Sequence, residues 1–333
     1  MKAALLVSPE KIVFEDIPTP LPGADEVLVQ PMLAGVCGTD ISIYKGHRPA
    51  PYPFVLGHEV FGRVMELGKN VAKLELGQRV IVEPNYPCGE CALCRRGRGA
   101  VCSHKRAMGV NIPGCYSEYA VAPAEFVWPI PDEISDRDAV TIEPLAVSLH
   151  GLLQSGAKQG DTVAVLGCGV VGLLLVQAAV DAGVCVIAHD RFADKLAMAR
   201  FLGAESVPEN EDTAILWERW NLTTVFECAG VPATVELALA AAPRGADVVL
   251  LGLSSQPACF VPVRVVREGI NIHTSMIYDH PVDFARAITL VASGRLCPSK
   301  VVTDVYALAD IGAALEYAAG GTAGKVLIDM VSR

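Results

Sequence analysis

The sequence predicts an α/β protein with a mainly β first part, expected to form a compact barrel, followed by a doubly wound parallel sheet. Short β-branched runs separated by proline and glycine fill the first part, which is typical of strands joined by turns. From Thr162 to Ser275, strands alternate with helical patterns, as in crossover units on a parallel sheet. A glycine-rich turn joins the first of these strands to its helix.

Composition and charge favour small molecules as partners. The 333 residues include 52% hydrophobic and 19% charged side chains, which is enough for a buried core and suits about two domains. The formal net charge of −10 disfavours nucleic acid and anionic membranes as partners.

The N-terminus and the cysteine content favour a cytoplasmic protein. The apolar N-terminal run stops at Ser8 and is too short for a signal peptide, so the eleven cysteines suggest metal sites or buried thiols rather than disulfides. A longer apolar run, Val163–Val180, reaches the length of a membrane span. Its glycines and the flanking acids Asp161 and Asp181 instead favour a buried strand, a turn and a buried helix.

The strands expected in the first part are short, and a helical stretch follows them. Each strand is apolar or β-branched and lies between turn residues. The strands cover Lys2–Leu6, Ile12–Asp16, Glu26–Ala34, Val60–Leu67, Arg79–Glu83 and Ser117–Val121, and the helical pattern covers Asp138–Gly151.

Cys37, His58 and Glu59 are candidate ligands of a catalytic zinc ion. Such a site takes three thiolate, imidazole or carboxylate ligands from the protein and keeps one position open. Gly57 allows the backbone bend that two adjacent ligands require. Asp40 is the candidate partner that would fix the tautomer of His58. The alternatives are a chance His-Glu pair in an apolar run and a turn role for Asp40.

Glu143 is a further candidate for this site. It belongs to the run Glu143-Pro144-Leu145-Ala146-Val147, where a carboxylate is costly to bury unless it is paired or bound to a metal. A partly exposed acid before a proline is the alternative interpretation.

A loop carries four cysteines in the spacing C-x2-C-x2-C-x7-C, at Cys88, Cys91, Cys94 and Cys102. Four thiolates predict a closed, structural zinc site, because no coordination position remains for a substrate. One alternative is an iron–sulfur cluster, but the bacterial pattern for such a cluster ends in C-x3-C-P, which this loop lacks. Nearby arginines favour a nucleic-acid-binding zinc ribbon as the other alternative, but the acidic chain and the missing second half of a paired C-x2-C pattern oppose it.

The run Gly167-Cys168-Gly169-Val170-Val171-Gly172 is a G-x-G-x-x-G motif between a strand and a helix. Its glycines let the backbone approach a pyrophosphate, which the helix N-terminus binds. Asp190, at the end of the next strand, would accept hydrogen bonds from the adenosine ribose and repel a 2′-phosphate. These residues predict NAD rather than NADP. Arg191, also a cofactor-binding candidate, is interpreted as a surface arginine, with phosphate binding as the alternative.

Six parallel strands would make a complete dinucleotide-binding domain. They are expected at Thr162–Leu166, Val184–His189, near Ser206, Thr224–Glu227, Asp247–Gly252 and Ile270–Ser275. Helical patterns at Val282–Ser293 and Leu308–Ala319 and a strand at Lys325–Met330 follow. The predicted domains are the barrel with its cysteine loop over 1–148, the nucleotide-binding domain over 149–275, and a segment over 276–333 that returns to the first domain.

Together these motifs resemble the zinc-dependent medium-chain alcohol dehydrogenases over the whole chain. They are Cys37-Gly38-Thr39-Asp40, Gly57-His58-Glu59, the four-cysteine loop, Glu143-Pro144-Leu145-Ala146-Val147 and the glycine motif. The chain is most similar to the polyol (sorbitol) and threonine dehydrogenase branch, where Glu143 replaces a second cysteine ligand. The resemblance implies a chaperonin-10-like (GroES-like) catalytic barrel, an NAD-binding Rossmann domain and a cleft between them, in a homodimer or homotetramer.

The resemblance also implies a mechanism. Zinc would bind and acidify a secondary alcohol, hydride would pass to NAD, and Thr39 would take the hydroxyl proton and pass it on through the cofactor ribose. Ser42 stands at the end of this relay, where many relatives have histidine. The charges of Cys37 and Glu59 cancel that of Zn²⁺, so Glu143 is expected to hold water or substrate, or to exchange with Glu59.

The expected substrate is a polyol, a cyclitol, or a sugar or amino alcohol that is oxidised to a ketone. Ile277-Tyr278 stands where sorbitol dehydrogenases have Arg-Tyr, which favours a shorter or cyclic polyol over sorbitol. One alternative is an enzyme of simple alcohols, aldehydes or ketones. The other is a non-enzymatic metal-binding or electron-transfer protein.

Overall fold

The computed structural model describes residues 1–206 and 212–332. The chain divides into two compact units, one made of Met1–Glu143 with Val302–Arg333 and the other of Pro144–Val301. These divisions differ from the boundaries 148/149 and 275/276 that the sequence suggested.

The described residues form short strands and helices along the whole sequence. The strands are β1 Lys2–Ser8, β2 Lys11–Asp16, β3 Glu26–Gly35, β4 Phe54–Val55, β5 Glu59–Leu67, β6 Arg79–Val82, β7 Asn85–Tyr86, β8 Arg106–Ala107, β9 Ala120–Pro123, β10 Val127–Pro129, β11 Thr162–Leu166, β12 Cys185–His189, β13 Glu205–Ser206, β14 Leu222–Glu227, β15 Asp247–Leu250, β16 Asn271–Thr274, β17 Val302–Ala307 and β18 Lys325–Asp329. The α-helices are α1 Gly38–Tyr44, α2 Asp136–Val140, α3 Ile142–Gln154, α4 Val170–Asp181, α5 Ala193–Phe201, α6 Thr213–Arg219, α7 Pro232–Ala241, α8 Pro262–Glu268, α9 Val282–Ala292 and α10 Ile311–Ala319.

The first unit is organised around β3. This strand pairs antiparallel with β5, β9 and β18, within a seven-stranded sheet whose order is β10-β6-β5-β3-β18-β17 with β9 also on β3. A second sheet has the order β2-β1-β4. Side chains from both sheets, including Leu6, Val29 and Val64, form one buried apolar core.

The C-terminal part of the chain completes this unit from Val302 onward. Strand β17 was not foreseen, because none of its side chains is fully buried and its apolar pattern is weak. It pairs parallel with β18, which in turn pairs with β3. Helix α9 belongs to the second unit instead, where Asp283 Oδ2 lies 2.8 Å from His150 Nδ1. The return therefore begins later than residue 276.

The second unit contains a parallel sheet in the order β13-β12-β11-β14-β15-β16. This is the 3-2-1-4-5-6 arrangement of dinucleotide-binding domains. The strand register places Leu166 beside both His189 and Glu227, so the carboxyl ends of β11, β12 and β14 lie level. Ligands bind at this edge in open parallel sheets, and the residues that follow β11 and β12 are the glycine motif and Asp190.

Two helical predictions need adjustment. The expected helix Asp138–Gly151 is two helices, α2 and α3, separated by Thr141. The apolar run Val163–Val180 is shared between β11 and α4. Within the described residues, no helix combines the length and the apolar character that a membrane crossing needs.

Candidate active site

The structure brings Cys37, His58 and Glu59 together in the first unit. One ligand atom from each lies within 4.8 Å of the others. The antiparallel register explains this, because Gly35 at the end of β3 is paired with Glu59 at the start of β5. Cys37 comes two residues after Gly35 and caps helix α1, so it lies close to the two ligands around the start of β5.

Gly57 provides the bend that presents adjacent ligands to one point. Its φ is +91°, a left-handed conformation that side chains with a Cβ rarely adopt. A Cβ at this position would also lie 2.7 Å from the Tyr116 ring and 2.9 Å from Cys115 Sγ. Only glycine therefore fits immediately before His58.

Asp40 orients His58. Its Oδ1 lies 3.2 Å from His58 Nδ1 and also accepts the Gly57 N–H at 3.2 Å. The other carboxylate oxygen accepts the Cys37 N–H at 2.9 Å and the Tyr116 hydroxyl at 3.4 Å. These contacts leave His58 Nε2 as the nitrogen available to a metal. Sequence reasoning did not identify Tyr116, because nothing in its local pattern separates it from a core tyrosine.

The electrostatics of this group suit a divalent cation. Burial alone would lower the pKa of His58, but the charges of Asp40 and Cys37 outweigh it and hold that pKa well above its usual value. Burial opposes ionisation of Asp40 as well, yet His58 and the Cys37 N–H keep the pKa of Asp40 below its usual value. A thiol, an imidazole and a carboxylate in one negative setting are the donor set of a catalytic zinc ion, so the residues fit the metal.

Lys325 is a second residue that the sequence did not reveal. Its ammonium forms an ion pair with Glu59 Oε2, and each side chain is only 1% exposed. Lys325 Nζ also donates to the Val36 carbonyl at 3.0 Å. The available signal was a lysine beginning an otherwise apolar strand, since a buried ammonium requires a partner.

The other candidates of the first unit are close in sequence to these ligands or begin α3. Thr39 and Ser42 are half-buried on α1 and, being three residues apart, share one face of the helix. Glu143 is 8% exposed in the first turn of α3. It is not a member of the group formed by Cys37, His58 and Glu59.

The four loop cysteines converge on one point. Their sulfur atoms are separated by 3.9 Å between Cys88 and Cys94, 3.5 Å between Cys91 and Cys94, 3.8 Å between Cys91 and Cys102, and 3.5 Å between Cys102 and Cys88. Four sulfurs placed tetrahedrally about zinc at the usual bond length would be about 3.8 Å apart. The loop is therefore already close to the geometry of a closed site.

Backbone N–H groups support the negative charge of these sulfurs. The Cys94 N–H donates to Cys91 Sγ at 3.5 Å, and such bonds lower the pKa of Cys91 to about 6. Backbone bonds lower the pKa of Cys88 as well. Burial and the neighbouring Cys91 sulfur instead raise the pKa of Cys94 to about 12, a cost that a bound cation would offset by stabilising the thiolate.

In the second unit, the glycine motif forms the turn between β11 and α4. Gly167 has φ of +95°, and a Cβ on it would lie 2.7 Å from the Ala229 nitrogen. Gly169 caps the helix that begins at Val170 and Val171, and a Cβ on Gly172 would overlap the Gly167 carbonyl. Gly167 and Gly172 are thus required by the turn, and the N-terminus of α4 suits a pyrophosphate.

Asp190 is held against this turn. Its carboxylate accepts the Cys168 N–H at 2.7 Å and the Phe192 N–H at 2.9 Å.

Lys195, which sequence reasoning missed, is 5% exposed. Burial lowers the pKa of Lys195, and the charge of Asp190 partly opposes this shift. A basic residue shortly after the acid was the signal that could have identified it. Arg191 is exposed, with its guanidinium 4.6 Å from the centre of the Phe192 ring.

Ile277 has an unusual backbone conformation. Its φ is +50°, which is rare for a β-branched side chain and is commonest at functional positions. The next residue, Tyr278, is buried with its ring 5.1 Å from that of Phe284. Ile277-Tyr278 is therefore a strained isoleucine beside a core tyrosine.

Comparison with known proteins accounts for both units. Residues 23–132 match the alcohol dehydrogenase GroES-like domain, and residues 170–293 match the zinc-binding dehydrogenase domain. The chain is 34% identical to starvation-sensing protein RspB of Escherichia coli K12, over 92% of each chain. It is 32% identical to sorbitol dehydrogenase of Bacillus subtilis, over 96% of this chain and 93% of the relative. It is 31% identical to L-threonine 3-dehydrogenase of Bacillus subtilis, over 95% and 94%.

Solved structures share the fold along the whole chain. The structure of rspB from Escherichia coli CFT073, in complex with NADH, has a TM-score of 0.92 at 30% identity and covers 99% of both chains. A Sinorhizobium meliloti 1021 protein, described as a zinc-binding dehydrogenase and bound to NADP, has a TM-score of 0.91 at 33% identity and covers 99% of both chains.

The chain belongs to the zinc-containing medium-chain alcohol dehydrogenase family. It is a zinc-dependent, NAD(P)-dependent alcohol or polyol dehydrogenase with a structural four-cysteine zinc site and a catalytic site of cysteine, histidine and glutamate. The predicted fold class, with a GroES-like barrel and a Rossmann domain, is confirmed. The non-enzymatic alternative is wrong.

The two zinc sites can be separated by one substitution. Cys102→Ser should reduce the zinc content from two ions per chain to one, because a closed site depends on all four thiolates. Cys185→Ser is the matched control, since Cys185 is exposed on β12 and should retain both ions. Elemental analysis of the purified variants measures this. Loss of zinc from the Cys185 variant, or none from the Cys102 variant, would refute the assignment.

Proposed function

We propose that this protein oxidises a secondary alcohol flanked by another hydroxyl or an amino group to the ketone, with NAD as hydride acceptor. The observation that carries the proposal is the group formed by Cys37, His58 and Glu59, together with a glycine motif at the edge of a parallel sheet. Bound zinc supplies Lewis-acid activation of the hydroxyl and NAD accepts the hydride.

The residues of the first unit have distinct roles in this proposal. Cys37 Sγ, His58 Nε2 and a Glu59 carboxylate oxygen would hold the metal. Asp40 keeps Nδ1 of His58 protonated, so that Nε2 stays a donor to the metal. Thr39 Oγ1 receives the hydroxyl proton, and Ser42, one turn further along the same helix face, is the next group able to carry it.

Glu143 supports the preference for a polar neighbour on the substrate. It is 8% exposed, and in this proposal its carboxylate accepts a hydrogen bond from the substrate or from water. A buried acceptor of this kind penalises a substrate that cannot pair with it. Sorbitol and L-threonine, named in two relatives, each have a secondary hydroxyl beside a carbon that bears a hydroxyl or amino group. Ile277, in place of arginine, supports a short or cyclic substrate.

A substrate panel tests the proposal. Vicinal diols, cyclitols, short polyols and amino alcohols should have kcat/KM values roughly 10²-fold or more above those of ethanol and butanol, because the simple alcohols lack the second polar group that would donate to Glu143. Nicotinamide absorbance measures each rate. Glu143→Gln serves as the companion variant and should narrow this ratio. Equal kcat/KM for butanol and the best polyol would contradict the proposed substrate class.

We also propose NAD rather than NADP as the cofactor. The Asp190 carboxylate is fixed by two backbone N–H groups beside the glycine turn, where a 2′-phosphate would meet its negative charge. Lys195, buried near it, would help to hold the ribose hydroxyls.

Replacement of Asp190 should relax this preference. Asp190→Ser should raise the KM for NAD⁺ about tenfold, since one charged hydrogen bond to the ribose is lost, and should reduce discrimination against NADP⁺. Asp194→Ala removes an exposed acid from the same region and should change neither value. Steady-state kinetics with NAD⁺ and NADP⁺ measure both quantities. If the wild-type protein prefers NADP⁺, the proposal is wrong and Arg191 is assigned to the 2′-phosphate instead.

We further propose that the protein forms a homodimer, or a tetramer built from such dimers, through strand β16. This strand is one edge of the parallel sheet, and an open edge can pair with another chain. Exposed apolar residues lie on β16 or in the segment leading to it, namely Leu253 at 74%, Val261 at 62%, Val263 at 53%, Val266 at 79% and Ile272 at 41%. A two-fold axis beside β16 would join two copies of the strand and cover such side chains.

A charge placed on this surface should separate the subunits. Val266→Glu should shift the protein toward monomer in analytical ultracentrifugation, because association would bury the new carboxylate. Ile215→Glu is the matched control, as Ile215 is 64% exposed on α6, outside the segment that carries these residues. A monomeric wild type, or an unchanged sedimentation coefficient for the Val266 variant, would contradict the proposed interface.

A further inference from the structure

We infer that Lys325 is a positioning residue that weakens the hold of Glu59 on the catalytic zinc ion and thereby keeps that ligand exchangeable. The inference rests on the catalytic site proposed above. It goes beyond that proposal by giving a role to a residue that touches neither substrate nor cofactor in the proposed mechanism.

The ion pair is buried on both sides. The side chains of Lys325 and Glu59 are each 1% exposed, and an ammonium at such depth is costly unless its charge and its hydrogen bonds are matched. The Glu59 carboxylate matches the charge, and the Val36 carbonyl accepts one hydrogen bond at 3.0 Å. Val36 directly precedes the ligand Cys37, so the lysine contacts the backbone next to one ligand and the side chain of another.

The backbone leaves room for this pair at Gly35. A Cβ on Gly35 would lie 2.7 Å from Lys325 Cε and 3.0 Å from Glu59 Cδ. Gly35 belongs to the central strand β3, whose register sets it opposite both Glu59 on β5 and Leu327 on β18. Because Gly35 has no side chain, Lys325 on β18 can reach Glu59 on β5 across the central strand β3.

The charges define what the lysine does. Cys37 and Glu59 together neutralise a zinc ion, and Asp40 adds a further negative charge through His58. The Lys325 ammonium offsets this excess, and it competes with the metal for the same carboxylate. A carboxylate shared in this way would donate less to zinc, and the Lys325 ammonium would pair with Glu59 whenever another ligand displaced Glu59 from the ion.

The sign of the effect on metal affinity separates this role from simple structural support. Loss of a supporting partner around a metal usually weakens binding by 10–100-fold. Loss of a competing positive charge should instead strengthen binding. Lys325→Met, which keeps the approximate length of the side chain, should therefore bind catalytic-site zinc roughly ten- to a hundredfold more tightly, while the four-cysteine site stays unchanged as an internal control.

The test is a chelator competition on the full-length protein, with the absorption bands of cobalt substituted into the catalytic site as a second measurement. Lys325→Met should bind the catalytic metal more tightly and should shift the cobalt absorption bands, whereas Lys325→Arg should behave as wild type. Lys45→Met is the matched control, because Lys45 pairs with Glu10 and Glu316 at the surface of the same unit. Unchanged or weaker metal binding in Lys325→Met would overturn the inference.

Two further variants keep the test decisive. If Lys325→Met does not fold, Lys325→Gln replaces it with the same expected direction. In a Glu59→Gln background, which removes the shared charge, the Lys325 substitution should no longer tighten metal binding. A tightening that persists in that background would also overturn the inference. If the wild type binds one zinc only, the proposed catalytic site itself fails, which is a different result from an unshifted affinity.

Discussion

The burial of charge inside the β unit constrains the rest of this structure. Asp40, His58, Glu59 and Lys325 are all at least nine-tenths buried, in a unit whose core is formed mainly by apolar side chains. Such groups are tolerated only when each charge is paired and each polar atom is bonded. Asp40 has four donors, and Lys325 has a carboxylate and a carbonyl. Cys37, His58 and Glu59 bring donor atoms to a common point, which a divalent cation completes.

Small residues and strand register make this arrangement possible. Gly35 gives Glu59 and Lys325 room beside β3, and Gly57 turns the chain so that His58 and Glu59 reach the same point. The nucleotide unit uses the same principle at Gly167, whose left-handed turn lies against Ala229. In both units, backbone geometry fixes the position, and a few side chains then supply the chemistry.

The sequence was most informative where function depends on neighbouring residues. The spacing of the four cysteines and the sequence Gly167 to Gly172 predicted local geometry that the structure shows, because such motifs need only a short stretch of chain. Lys325 and Tyr116 could not be predicted in this way. Each reaches the site over a long sequence separation. Tyr116 has no distinctive local pattern, and a lysine at the start of an apolar strand indicates that Lys325 needs a partner but not that the partner is Glu59. Strand β17 was missed for a related reason, since it is recognised by its pairing with β18 rather than by its own apolar pattern.

The expectation for Glu143 came from charge: Cys37 and Glu59 already balance Zn²⁺, so Glu143 was expected to hold water or substrate, or to exchange with Glu59. In the structure, the group of candidate ligands includes Glu59 and does not include Glu143. The pairing of β3 with β5 places Glu59 opposite Gly35 and thus near Cys37, whereas Glu143 lies in the first turn of helix α3. The proposed role for Glu143, in holding substrate rather than zinc, is consistent with this position.

Zinc X-ray absorption spectroscopy of the purified protein tests the central claim most directly. One ion would bind all four sulfurs of the cysteine loop, and the other would bind one sulfur, one imidazole nitrogen and one carboxylate oxygen. The spectrum averages over both zinc ions. It should therefore fit a mixture of sulfur donors, from Cys37 and the loop, with nitrogen or oxygen donors. A spectrum that fits only sulfur around every zinc, with no nitrogen or oxygen, would contradict it.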